Sequence, residues 1–282
     1  MNRFFLAGWL MVLLSALCVP AGAAGLEWEV RDDGKLEVEP LDLAVAQDGS
    51  WMFVLAPGEI RVLDAKTGAS VARIPIESGF DRIVYSESEQ TLILTSRGTR
   101  RQLRVALEKV YSFDLSGLPI LGAEDGAVTV TVFSDYQCPY CARLEPLLQQ
   151  VQEKYPEEVG IVHKNLPLSS HRFAVPAALA ALAANAQGRF EPFHKALMAS
   201  YSTMSEEVIT RTAEAVGLDM ERFQSDRKNP AFQGVLRRDM EEGRQAGVRG
   251  IPAVFVNGKP LRTLTPEKLM AAVEKERQKT SR

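Results

Sequence analysis

Histidine, cysteine and tryptophan occur three times each in 282 residues. With only His163, His171 and His194, and no second CxxC or paired-histidine spacing, there is little material for a zinc site, so neither metal nor cofactor is expected. Basic residues are not in excess. Lys and Arg number 33 against 36 Asp and Glu, a formal net charge of −3, which lacks the electrostatic footprint of a nucleic-acid binder. No glycine-rich phosphate loop is present, and beyond the N-terminal segment no apolar run reaches the ~20 residues needed to span a bilayer. What is present is the composition of a soluble globular protein, 46% apolar and 24% charged, long enough for one large or two ordinary domains. Such a chain can build a core without disulfide stapling.

The first residues read as an export signal. Arg3 precedes the uncharged run Phe4–Val19, and Pro20 leads into Ala21-Gly22-Ala23, a small-residue pattern suited to a signal peptidase. A signal peptide over residues 1–23 is expected, cleaved after Ala23 or alternatively after Ala24; left uncleaved, the segment would anchor the chain to a membrane. Leu17 before Cys18 argues against a lipoprotein. The expected localisation is therefore outside the cytoplasm, in a bacterial periplasm, where disulfides form and persist. Without the signal, Cys138 and Cys141 are the only cysteines left.

From residue 26 to about 115 the pattern is all β. Short β-branched and aromatic runs (WMFVL at 51–55, EIRVL at 59–63, TLILT at 91–95) alternate with turn signals at Asp48-Gly49, Pro57-Gly58 and Lys66-Thr67-Gly68. Asp42-Leu43-Ala44-Val45 and Phe53-Val54-Leu55 repeat, 39 residues on, as Asp81-Arg82-Ile83-Val84 and Leu92-Ile93-Leu94. That period resembles the blades of YVTN-type and quinoprotein-type propellers, so two blade-like repeats are expected. Two blades do not close a propeller. Their sheet edges need cover, from the second domain, a second copy or a protein partner.

Ser116-Gly117-Leu118-Pro119 marks the join, and residues 118–282 read as an α/β domain. Val128–Phe133 is a strand apolar enough to be covered on both faces. Leu144, Leu147, Leu148 and Val151 follow at helical spacing, and 159–163 is a second strand. A helical insertion occupies about 171–246, Ile251–Val256 is a third strand, Asn257-Gly258 a hairpin turn, and Thr265 caps a last helix with Pro266 at its first position.

Cys138 and Cys141 lie at the first strand-to-helix junction. Residues three apart on a helix sit ~5–6 Å apart, within disulfide reach. With Cys138 at the N-cap and Pro139 next, its sulfur faces unpaired N–H groups and the positive end of the helix dipole, which favour a thiolate. Cys138 is then the attacking sulfur and Cys141 the more buried resolver; a structural disulfide is the alternative. Pro139 and Tyr140 fill the dipeptide that tunes redox potential.

FSDYQCPYC at 133–141, HKNLPL at 163–168, the alanine-rich helical stretch AALAALAANAQGRFEPFHKALM and GVRGIPAVFVNGK at 247–259 together resemble the DsbA-type branch of the thioredoxin superfamily. The resemblance implies a thioredoxin fold with an inserted helical domain and a redox-active Cys138–Cys141 disulfide in place of a cofactor. It also implies a cis peptide bond at Pro252, with Ile251 before it, helping to bind substrate backbone. The family often carries a buried acid six residues before the first cysteine; Val132 stands there. Asp135, Glu145 and Lys164 are the candidates to relay a proton in its place, or ordinary surface and capping charges. His163 and His194 are expected to be packing or surface residues, and Phe173 with the helices after it to form core and rim.

The resemblance implies disulfide donation to unfolded or reduced exported proteins, reset by a membrane redox partner. An isomerase or reductase using the β module to dimerise, and a non-catalytic scaffold, are the alternatives.

Overall fold

A computed structural model describes residues 35–280, so the expected signal peptide lies outside the described residues. The described chain divides into two units after Ala106.

The first unit consists of two antiparallel meanders. Strands β1 (Asp42–Val45), β2 (Trp51–Ala56), β3 (Glu59–Asp64) and β4 (Ser70–Pro75) pair in sequence order, and so do β5 (Arg82–Ser86), β6 (Thr91–Thr95) and β7 (Gln102–Ala106). The halves of the 39-residue repeat fall on the first two strands of each sheet. Asp64 makes the β3–β4 turn: its Oδ1 accepts from the N–H groups of Lys66 (3.0 Å) and Thr67 (2.8 Å) and from the Thr67 hydroxyl (2.9 Å). Carboxylates fold the chain back on itself in this way, which is why an Asp precedes the Thr-Gly turn. Phe53, Leu55, Ile60, Leu92 and Leu94 are fully buried, and Phe53 meets Tyr85 with ring centroids 4.9 Å apart.

The second unit begins before the expected join. Tyr111 and Phe113 belong to it, because Phe113 packs edge-on against Phe133 (5.3 Å) and Phe255 (5.0 Å), and the Tyr111 N–H donates to the Gly258 carbonyl (2.8 Å). The divide therefore falls at Ala106–Leu107 instead of near Leu115; these two aromatics alternate with polar residues in a strand-like way that does not show which sheet they cover.

Its sheet has five strands in the order β12-β11-β9-β10-β8, from β8 (Ile120–Gly122), β9 (Val128–Ser134), β10 (Val159–Asn165), β11 (Ala253–Val256) and β12 (Lys259–Pro260). β9 and β10 are parallel, as helix α1 (Pro139–Lys154) between them requires; β11 runs antiparallel to β9, and β8 to β10. Three-residue β8 carries too short a pattern to stand out in sequence. Val128, Val130 and Val132 face α1 and α7 (Pro266–Thr280), where Leu144, Leu148, Leu269 and Val273 complete a buried cluster. Thr265 caps α7, its hydroxyl accepting from Lys268 N–H (3.3 Å).

Between β10 and β11 come α2 (Ala174–Asn185), α3 (Phe190–Ala199), α4 (Glu206–Ala215), α5 (Met220–Asp226) and α6 (Pro230–Gln245). Their alanine-rich and aromatic interior includes Ala177, Ala181, Phe193, Ile209 and Phe223. Among the described residues, no helix is long and apolar enough to cross a membrane.

Candidate active site

The end of β9 delivers the chain to the two cysteines. Asp135 turns it: its carbonyl accepts from the Cys138 N–H (3.1 Å), and its Oδ1 from the Gln137 N–H (2.7 Å). Cys138 then takes extended backbone angles at the N-cap of α1, with Pro139 at the first helical position. No side chain caps the N-terminal amides of α1, so those donors and the helix dipole stay directed at Cys138. Both cysteines are free thiols and buried, Cys138 4% and Cys141 1% exposed, within the cluster that holds Tyr136, Phe190 and Phe193. Burial pushes the Cys141 thiol far above its ordinary pKa, a backbone contact at Asp135 opposes this, and the charges of Cys138 and Asp135 add to the rise. Tyr140, by contrast, is 63% exposed, with the Arg143 guanidinium 4.5 Å from its ring centre.

The Ile251–Pro252 peptide bond is cis. Antiparallel pairing of Ala253 with Phe133 sets Pro252 beside the C-terminal end of β9, where the chain turns towards Cys138. Ile251 packs against the cluster containing both cysteines.

The three relay candidates occupy three different environments, and none is an ordinary surface charge. Asp135 is 3% exposed; its Oδ2 accepts from the Leu168 N–H (2.9 Å) and lies 2.8 Å from His171 Nδ1. Lys164 is fully buried on the α6 side of β10, its Nζ 2.8 Å from Asp239 Oδ1, 2.8 Å from Glu242 Oε2 and donating to the Asp114 carbonyl (2.8 Å). Glu145, one turn beyond Cys141 on α1, has Oε2 3.1 Å from His194 Nε2 and Oε1 3.9 Å from His163 Nδ1. Strand alternation separates these last two sites: His163 and Lys164 are neighbours on β10 and therefore point to opposite faces.

His163 and His194 are buried, as packing residues would be, but they form a polar group rather than filling apolar space. Their ring centres are 4.2 Å apart, and His194 Nδ1 lies 2.9 Å from the Tyr136 hydroxyl. Burial, the charge of His194 and an opposing pull from Glu145 bring the His163 pKa to about 4. Burial first, and then Lys195, bring that of His194 to about 3. Burial raises the Glu145 carboxyl. The helices after Phe173 form more than core and rim: α3 and α1 enclose a cavity of about 370 Å³ with Glu145, His163 and His194 in its wall. No residue spacing points to this convergence; the one local signal is Glu145 four residues after Cys141, on the same helix face.

A parallel strand–helix–strand unit, an antiparallel third strand, and paired thiols at the helix start beside a cis-proline define a thioredoxin-type fold. Residues 116–275, more than half of the chain, match the family model described as "Thioredoxin", and the chain belongs to that family. Among solved structures, a thioredoxin-like oxidoreductase from Silicibacter pomeroyi DSS-3 is 34% identical, with a TM-score of 0.52, covering 58% of this chain and 94% of that one. BdbD from Bacillus subtilis shares the fold at 21% identity and a TM-score of 0.53, covering 60% of this chain and 97% of that one. Among curated proteins, the Na(+)/H(+) antiporter NhaA 3 of Salinispora tropica is 28% identical over 206 residues, which are 73% of this chain; the chain spans only 30% of that protein's length.

Proposed function

We propose that this chain is an exported thiol:disulfide oxidoreductase that donates a Cys138–Cys141 disulfide to reduced, folding proteins. The observation that carries the reading is the pair of thiols at the uncapped start of α1 beside the cis Ile251–Pro252 bond. The 34% identical relative, named an oxidoreductase, supports the same chemistry.

A substrate thiolate attacks Cys138 Sγ, the Cys138–Cys141 bond breaks, and Cys141 leaves as a thiolate that takes up a proton. A second substrate thiolate then attacks the substrate sulfur of the mixed disulfide and expels Cys138 as the thiolate. Two electrons pass from the substrate dithiol to the cysteine pair, and a membrane redox partner withdraws them again. The uncapped N–H groups at the start of α1 face Cys138, an arrangement suited to an oxidising disulfide. Ile251 and Pro252 present an edge for substrate backbone, and Pro139 and Tyr140 tune the potential.

Cys141 needs a proton route, since burial strongly favours its neutral thiol. Of the three candidate relays, Asp135 acts on Cys141 electrostatically and touches His171, whose side chain is 22% exposed. The proton route would then run from solvent through His171 and Asp135, with Asp135 standing in for the acid absent at Val132. Replacing Asp135 by Asn should slow the exchange in which Cys141 leaves by about 10²-fold, the lower range for a positioned proton-transfer group.

In the first unit, Leu43, Val45, Val71 and Val84 are exposed on strands. They favour a blade-like repeat module that self-associates or binds a protein, and a dimer would bring two thiol sites together as an isomerase does. The deciding measurements are the reduction potential and the activity of Cys138→Ala. A value near −120 mV supports donation, one near −270 mV a reductant. Full function of Cys138→Ala would leave only a scaffold role.

A further inference from the structure

We infer that Glu145, His163 and His194 bind a divalent first-row transition-metal ion of the zinc class, in the cavity between α1 and α3. The three residues come from α1, β10 and α3, and one ligand atom from each lies within 4.8 Å of the others. Tetrahedral bonds of 2.0–2.1 Å place ligand atoms about 3.3 Å apart. His194 Nε2 and Glu145 Oε2 are already at 3.1 Å, and with every separation in the trio within 4.8 Å the widest needs to close by no more than about 1.5 Å.

The second observation is His163 itself. It is 4% exposed, it lines the cavity, and neither ring nitrogen has a hydrogen-bond partner. Buried polar atoms are almost always satisfied, and an ion at this point supplies the missing partner. His194 is prepared differently: Tyr136 Oη, 2.9 Å from Nδ1, can accept its proton and so leave Nε2 free to ligate. This is the outer-shell contact that fixes tautomer and ring direction in metal sites.

The donor set selects the ion. Two imidazoles and one carboxylate, with no thiolate, suit zinc, cobalt or nickel rather than calcium or magnesium, which take oxygen ligands. The fourth position opens into the cavity and is left to water. Lys195 borders the cavity, and Glu191 at 2.7 Å offsets its charge.

The test uses the full chain with Cys18→Ser, Cys138→Ser and Cys141→Ser, so that thiolates cannot bind metal and the outcome is independent of the redox reading. Metal-free protein is titrated with Zn²⁺ by calorimetry and with Co²⁺ by its visible d–d absorption. One ion per chain is expected, at micromolar affinity or better. Glu145→Gln and His163→Phe should each weaken it at least 100-fold, and Tyr136→Phe by about 10–100-fold, with circular dichroism showing each variant folded. Glu153→Gln, on the exposed face of α1, should bind as the parent does. No binding by the folded parent, or equal affinity in Glu145→Gln and His163→Phe, overturns the site.

Discussion

Replacing Lys164 by methionine takes away one ammonium where no water can replace it. The Nζ atom is 2.8 Å from carboxylate oxygens of Asp239 and Glu242, and Lys164 and Asp239 are both fully buried. Glu242 keeps some solvent and also accepts from the Asp114 N–H (2.9 Å), but Asp239 is left with only the Asn165 backbone and side-chain donors. Removing one partner of such a pair costs about 3–5 kcal/mol, chiefly because the remaining charge is stranded. With a urea slope of about 2 kcal/mol per molar, a loss of 4 kcal/mol lowers the unfolding midpoint by about 2 M. Circular dichroism at the helix band reports this unit selectively, since all seven described α-helices lie in it. The sign of the pH dependence is fixed as well. Burial raises the Asp239 pKa, with Lys164 opposing that rise, so without Lys164 it rises further. A carboxyl whose folded pKa exceeds its unfolded one binds more protons when folded, and its contribution to stability grows as pH falls. The deficit of Lys164→Met relative to the parent should therefore shrink from pH 8 to pH 5. The double variant Lys164→Met/Asp239→Leu should recover most of the loss. A loss below about 1 kcal/mol, or a double variant as unstable as the single one, would refute the account of a stranded charge.

Cys141→Ser, given a disulfide-bonded protein, should accumulate mixed disulfides at Cys138, visible on non-reducing gels, because the Cys138 thiolate attacks that disulfide and expels one of its sulfurs while no second thiol remains in the site to release the product. Gly258→Ala should destabilise the second unit by more than about 1 kcal/mol in urea, since φ is +74° there and a methyl group would overlap the Tyr111 carbonyl. Asp64→Ala should weaken the first unit. Hydrogen bonds from the Thr67 backbone and hydroxyl and the Lys66 N–H hold the Asp64 carboxyl below its usual pKa, so its contribution is present above the ordinary aspartate range and lost as pH falls through the folded value. The fluorescence of Trp51, which pairs with Asp64 across β2 and β3, follows this transition, and the gap between variant and parent should close in acid.

The parts of the second unit legible in sequence were those with local causes. CPYC after an apolar strand, Asn-Gly before a two-residue strand, and Thr-Pro before the last helix each act through neighbours in the chain, and each lies where its chemistry places it. The Asp and Thr-Gly punctuation of the first unit is legible for the same reason, through the hydrogen bonds of Asp64. What escaped was long-range. Tyr111 and Phe113 look like a further strand of the first unit until Phe133 and Phe255 are seen to need an aromatic cover. Glu145, His163 and His194 are separated by whole elements and come together only because α1 packs against both α3 and β10. His171, counted in sequence but given no role there, meets Asp135 through the loop after β10. Lys164 and Asp239 conceal each other's burial, since each alone reads as a surface charge.

The central position of β9 in its sheet bears on both cysteines and the cis-proline. It is flanked by β10 on one side and β11 on the other, so its amides are among those that exchange with solvent only in the rarest openings. The cysteines hang from its end and the cis-proline from the start of its neighbour. Under the proposed exchange, the Sγ–Sγ bond would open and close on this protected backbone, beside the exposed ring of Tyr140. A nucleophile held this firmly would leave the adjusting to whatever approaches it.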